Sequence, residues 1–151
     1  MKEADHKAAL RLSPMLRRAC IYLGTTAKEA IVTALHINSA GVSFEQDEPA
    51  VIADWRQTPG LGVALRFALE RFSLQERNLR NLKKTEWPSY RASSSRSVRE
   101  FEATYMCISI QALNEAELSM TLGPIRLMKR TLRFMSRLIG MDQTKSLIEN
   151  S

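Results

Sequence analysis

The chain has 151 residues, 44% hydrophobic and 25% charged, with 22 Lys and Arg against 16 Asp and Glu for a formal net charge of +6. That length predicts a single domain over 1–151, able to bury about 68–70% of its unfolded surface without staples. The composition excludes disorder throughout, two cysteines are too few for a disulfide scaffold, and no apolar run approaches the ~20 residues of a membrane span. The start, Met1 to Lys7, is too charged for a secretory leader. A soluble, reduced, cytoplasmic protein is the expectation.

In chain order, Ser13-Pro14 places an N-cap before a first-turn proline, and Gly24 closes a short first helix. Thr26 and Glu29 have the spacing of a capping box, which predicts a helix to about Asn38 stopped by Gly41. Asp47 and Glu48 before Pro49 predict a short helix through Trp55, with acidic residues at the positive end of its dipole. Thr58-Pro59 opens a long central helix to Lys84. Its apolar stripe is Leu61, Leu65, Ala68, Phe72, Leu79 and Leu82. Pro88 and the serines 93 to 95 predict an exposed, mobile connection over about 86–96.

Ser97 and Glu100 form a second capping box. Behind it Val98, Phe101, Tyr105, Ile108, Ala112 and Ala116 make one helical stripe, with Met106, Ile110 and Leu113 on another face, the pattern of a central helix. The composition from Thr104 to Ile110 also suits a short buried strand, and the capping box with helical spacing on both sides favours the helix. Gly123-Pro124 separates it from a basic amphipathic C-terminal helix, Pro124 to Ile139, stopped by Gly140 and followed by a frayed tail at about 142–151. The fold class expected is therefore all-α, a single-domain bundle of six or seven helices.

Catalytic chemistry finds little material. His6 and His36 are the two histidines, and neither stands in a cluster with metal-ligand spacing. Cys20 and Cys107 lie in apolar contexts where cysteine acts as a small hydrophobe. Pro59-Gly60-Leu61-Gly62 lacks the third glycine of a dinucleotide fingerprint and the Lys-Ser/Thr of a P-loop. No enzyme, cofactor or metal is expected.

Charge points to a partner. The surplus of positive over negative side chains is 0 over residues 1–60, +2 over 61–118 and +4 over 119–151. In the C-terminal helix Leu127, Met128, Leu132, Phe134, Met135, Leu138 and Ile139 fill one half of the wheel. Arg126, Lys129, Arg130, Arg133 and Arg137 share an arc of the other half without a carboxylate. A second basic stretch, Arg77, Arg80, Lys83, Lys84, Arg91, Arg96 and Arg99, is interleaved with Trp87 and Tyr90 and opposed only by Glu86. Cations with aromatics suit the phosphates and bases of single-stranded nucleic acid. The expected function is a non-enzymatic, nucleic-acid-associated protein, a subunit or regulator of a larger nucleoprotein complex. The alternative is a helical adaptor or inhibitor binding an acidic protein surface or a second copy. It would act through exposed apolar, Met-rich helices, since Met120, Met128, Met135 and Met141 crowd the last quarter. A membrane surface is disfavoured, because the apolar half of the last helix is more simply core.

Overall fold

Runs rich in β-branched and aromatic residues, separated by short polar turns, dominate the chain from Arg17 to Ile37, and they form strands rather than helices. The computed structural model describes residues 17–57, 59–112 and 117–125. In chain order these carry β1 (Arg17–Gly24), β2 (Ala30–Ile37), β3 (Ser43–Glu45), β4 (Ala50–Ile52) and α1 (Pro59–Arg71). A 3₁₀ turn (Lys84–Glu86), α2 (Pro88–Ala92), α3 (Val98–Thr104), β5 (Tyr105–Ala112) and β6 (Leu118–Pro124) follow. The six strands make one antiparallel sheet in the order β3-β2-β1-β5-β6, with β4 also pairing β2. β3 and β4 thus lie along one edge, opposite different stretches of β2, and β6 forms the other edge.

Register divides the side chains between two faces. Ala19 and Ile21 of β1, Ala30, Val32 and Ala34 of β2, and Ile110 of β5 gather with Ala68 on the face that α1 covers. Cys20, Tyr22, Ile31, Leu35, Tyr105 and Cys107 point the other way, where Phe101 of α3 and the half-buried Trp87 and Tyr90 close over them. Trp87 stands edge-on to Phe101 at 5.0 Å and to Tyr22 at 5.7 Å, the aromatic geometry that favours tight burial.

The all-α expectation is overturned by this sheet. β1 and β2 are covered on both faces, so every residue from Ala19 to Tyr22 and from Ala30 to His36 is buried. A strand buried on both sides is a continuous apolar run without period-two alternation, and helical spacings can be read into it by chance. Thr26 and Glu29 lie in the β1–β2 connection, where the Gly24 amide donates to the Glu29 carbonyl at 2.9 Å, and no helix follows them. The Glu29 carboxylate serves elsewhere, accepting from the Ser94 amide at 2.8 Å, the Ser94 hydroxyl at 2.9 Å and the Tyr105 hydroxyl. Gly41, expected to stop a helix, occupies a left-handed turn at φ 76° between β2 and β3. The helix expected from Asp47 to Trp55 is replaced by β4.

The long central helix is shorter than its stripe. It ends at Arg71, because the next residues bond to the end of β2: the Ile37 amide donates to the Ser73 carbonyl at 3.2 Å, and the Gln75 amide to the Ile37 carbonyl at 3.0 Å. Of the 86–96 stretch, Glu86, Arg91, Ser94 and Arg96 are exposed. The stretch contains α2, with Ser89 fully buried. Ser97 caps α3 as expected, its hydroxyl accepting from the Glu100 amide at 3.1 Å. The helix then gives way at Tyr105 to a strand, the alternative that the composition had allowed. Gly123 and Pro124, expected to separate two helices, end the strand β6 instead; the rest of the expected C-terminal helix, the expected tail and the residues before Arg17 lie outside the described residues.

Candidate functional site

A groove of about 610 Å³ runs between α1 and the β4 edge of the sheet. Its geometry follows from the two stripes of α1. Leu61, Ala64, Leu65, Ala68 and Leu69 turn inward and pack on the sheet, which holds a helix weakened by Gly60 and Gly62 in its first turn. Gly60, Val63, Phe67 and Arg71, at spacings of three, four and four, form a second stripe beside the first and line the groove. Val63 and Phe67 are 55% and 58% exposed, an apolar pair that the fold itself leaves uncovered. Across from them stand Ala50, Val51 and Ile52 of β4, with Val32 and Gln46 completing the lining. β4 pairs with β2 alone among the described strands, so its outer edge carries backbone donors and acceptors without a ladder partner. Arg71 is the charged residue of the lining.

A buried polar hub fixes the β3 part of the same edge. The Glu45 carboxylate accepts from the Tyr22 hydroxyl at 2.5 Å, from the Ser89 amide at 3.0 Å and from the Ser89 hydroxyl at 2.6 Å. These bonds tie β3 to β1 and to the first turn of α2. Burial pushes the Tyr22 phenol well above its ordinary pKa, and the neighbouring Glu45 charge adds to the effect. The Cys20 thiol is pushed up by its hydrogen bond with Cys107 and by burial, which leaves it without the thiolate that nucleophilic chemistry requires. His36 lies on β2 rather than at a helix end. Its Nδ1 is 3.0 Å from the Ser73 hydroxyl, and burial lowers its pKa. Among the described residues no group of three His, Cys, Asp or Glu side chains is placed to hold a metal ion. None of the described helices is long and apolar enough to cross a membrane.

Among the described residues, the cations expected to contact phosphates are dispersed. Arg126, Lys129, Arg130, Arg133 and Arg137 lie outside the described residues. Arg77 is engaged, 2.7 Å from Asp47 and with its guanidinium over the Phe44 ring at 5.7 Å. Lys84 stands 3.7 Å from Glu102. Arg80, Lys83, Arg91 and Arg96 are exposed. Trp87 and Tyr90 turn their rings into the Phe101 cluster, so the aromatic surfaces sought for base stacking contribute to the core. Arg77 and Arg91 share a hollow with Asp47, Glu48 and Glu86, so the patch is mixed in sign where the linear sequence showed Glu86 alone. Val63 and Phe67, by contrast, were not singled out. Their four-residue spacing was legible, but its meaning depends on the strand edge opposite. No protein-family model, curated protein or solved structure matches the chain.

Proposed function

We propose that this chain is a non-enzymatic protein-binding module, an adaptor or inhibitor that takes an extended, apolar segment of a partner along the outer edge of β4 beside α1. The observation that carries the reading is the exposed pair Val63 and Phe67 facing an unpaired strand edge across an apolar groove. A segment added to β4 would bond through its main chain and direct alternate side chains against α1, the recurrent mode of strand addition. Covering Phe67 and Val63, each a little over half exposed, would contribute about 1–1.5 kcal/mol each, roughly half the value for a fully exposed side chain. Arg71 would receive an acidic residue of the segment, and the net charge of +6 would steer an acidic partner toward the molecule. A cytoplasmic setting belongs to the same reading, supported by two buried cysteines that stand as free thiols.

The test is selection from a displayed library of random peptides against the full chain, followed by fluorescence polarisation of the peptides recovered. Peptides with apolar residues at alternate positions are expected, with binding at least ~10-fold weaker to Val63→Asp and to Phe67→Asp, a loss of about 1.4 kcal/mol. Both positions are exposed, so melting temperatures should hold. Recovered peptides that bind Phe67→Asp as they bind wild type would overturn the reading. So would binding confined to single-stranded or duplex nucleic acid, with affinity that falls steeply with salt through Arg126, Lys129, Arg130, Arg133 and Arg137.

A further inference from the structure

The opposite edge of the sheet carries a different surface. β6 presents a seven-residue strand without a charged side chain, and its outer edge pairs with no described strand. Natural sheets guard such edges with lysines, bulges, early prolines or covering segments. Here the proline is the last residue of the strand, Pro124. Leu118, Met120 and Leu122 stand opposite Ala112, Ile110 and Ile108 of β5, so the three share one face, and they are 52%, 68% and 61% exposed. Ser119, Thr121 and Gly123 point to the other face.

We propose that β6 pairs antiparallel with β6 of a second copy about a two-fold axis at Thr121, joining two sheets into one. Three features of the strand select this occupant. An axis perpendicular to a sheet keeps each face on its own side, so strands related by it can oppose only residues of the same parity. Any such register therefore sets the apolar ladder against itself. Centring on Thr121, the middle of Leu118–Pro124, pairs all seven residues, with Met120 opposite the partner's Leu122 and Leu122 opposite the partner's Met120. Second, a strand free of charge meets no like-charge repulsion in its copy, although the chain as a whole carries +6. Third, the chain leaves β6 through Ile125, which is buried with Cys107, Tyr105 and Phe101 on the opposite face. Ile125 thus leaves Leu118, Met120 and Leu122 uncovered.

A seam about 24 Å long, at ~3.4 Å per residue, is smaller than a standard interface, so the expected dissociation constant is on the order of 10 µM. The test uses the full chain without substitution first. Hydrogen exchange of the β6 amides is followed by mass spectrometry at about 1 µM and about 300 µM, alongside sedimentation equilibrium over the same range. Protection of β6 is expected to rise with concentration while mass climbs from the 17.1 kDa of one chain toward twice that value. Leu122→Lys should abolish both changes and leave the melting temperature in place. Equal β6 protection at the two concentrations would mean that the chain's own residues 1–16 or 126–151 cover the edge, and the proposal would fail. It would also fail if the protein stayed at one chain mass throughout, or if Leu122→Lys dimerised as wild type does. None of these outcomes bears on the β4 groove, which is read by peptide binding.

Discussion

Glu45→Ala tests the packing logic of the fold at its most polar buried point. Glu45, Tyr22 and Ser89 are 9%, 5% and 0% exposed, so a stranded donor has little access to water. The substitution removes the acceptor for two hydroxyls and one amide, those of Tyr22 and Ser89. Each buried group left unsatisfied costs about 1–3 kcal/mol, and a relaxed site that admits some water holds the total for the three donors to about 3–5 kcal/mol. Against an ordinary stability of about 5–15 kcal/mol, that is a severe loss. At about 2–4 °C per kcal/mol for a chain of this size, the melting temperature should fall by about 6–20 °C. Urea titration followed by tryptophan fluorescence is the assay, since Trp87 packs on Tyr22 and reports the loosening directly. A double-mutant cycle of Tyr22→Phe with Glu45→Gln should then give a coupling above ~0.5 kcal/mol. If Glu45→Ala melts within about 1 kcal/mol of wild type, the carboxylate does not hold β3 to α2, and the account of this edge is wrong.

Two further outcomes follow from local geometry. Gly24→Ala would place a methyl group 2.3 Å from the Ala27 carbonyl oxygen in the tight β1–β2 connection; urea melts should show a loss of about 1–3 kcal/mol, and a neutral result would mean that this turn is looser than described. His36 titrates in the folded protein below its unfolded value because burial opposes its charge, so the unfolded chain takes up the proton first as pH falls. The associated stability is complete above about pH 6.5 and is lost as pH drops through the lower folded value. Thermal melts between about pH 7 and pH 5 should therefore slope less steeply in His36→Gln than in wild type, and identical slopes would remove His36 from the account.

What the sequence made legible depended on how each element meets water. The start of α1 at Pro59 and its inward residues Leu61, Leu65 and Ala68 were readable, because one side of that helix is solvated and the contrast survives. The Ser97 cap was readable for the same reason. β1 and β2 were not, since burial on both faces erases the alternation that marks a strand. The far end of α1 was missed because Phe72, Leu79 and Leu82 continue the helical phase, while the bonds of Ser73 and Gln75 to Ile37 come from tertiary pairing that no local pattern reports. Trp87 and Tyr90 show the same limit from the other direction. Their neighbours in sequence are cationic, but their neighbours in space are Tyr22 and Phe101.

The two faces of the sheet are covered differently. On one face Phe101, Trp87, Tyr90 and the Glu45 hub close over the strands, joined through aromatic contacts and buried hydrogen bonds that leave little surface to offer. On the other face α1 covers β1 and β2 but reaches neither edge fully. Val63 and Phe67 remain open toward β4, and Leu118, Met120 and Leu122 remain open on β6. A helix of 13 residues is about 20 Å long, and its width of ~10–12 Å spans between two and three strands at ~4.8 Å spacing. A five-strand path is therefore wider than one helix can shield. The two uncovered margins differ in a way that separates their occupants. β4 is three residues long and walled by a helix, so a segment of another protein, as proposed above, would gain affinity there from side-chain pockets. β6 is long, uncharged and flanked on its outer edge by no described strand, so the proposed second copy would gain affinity from main-chain pairing with a matching ladder.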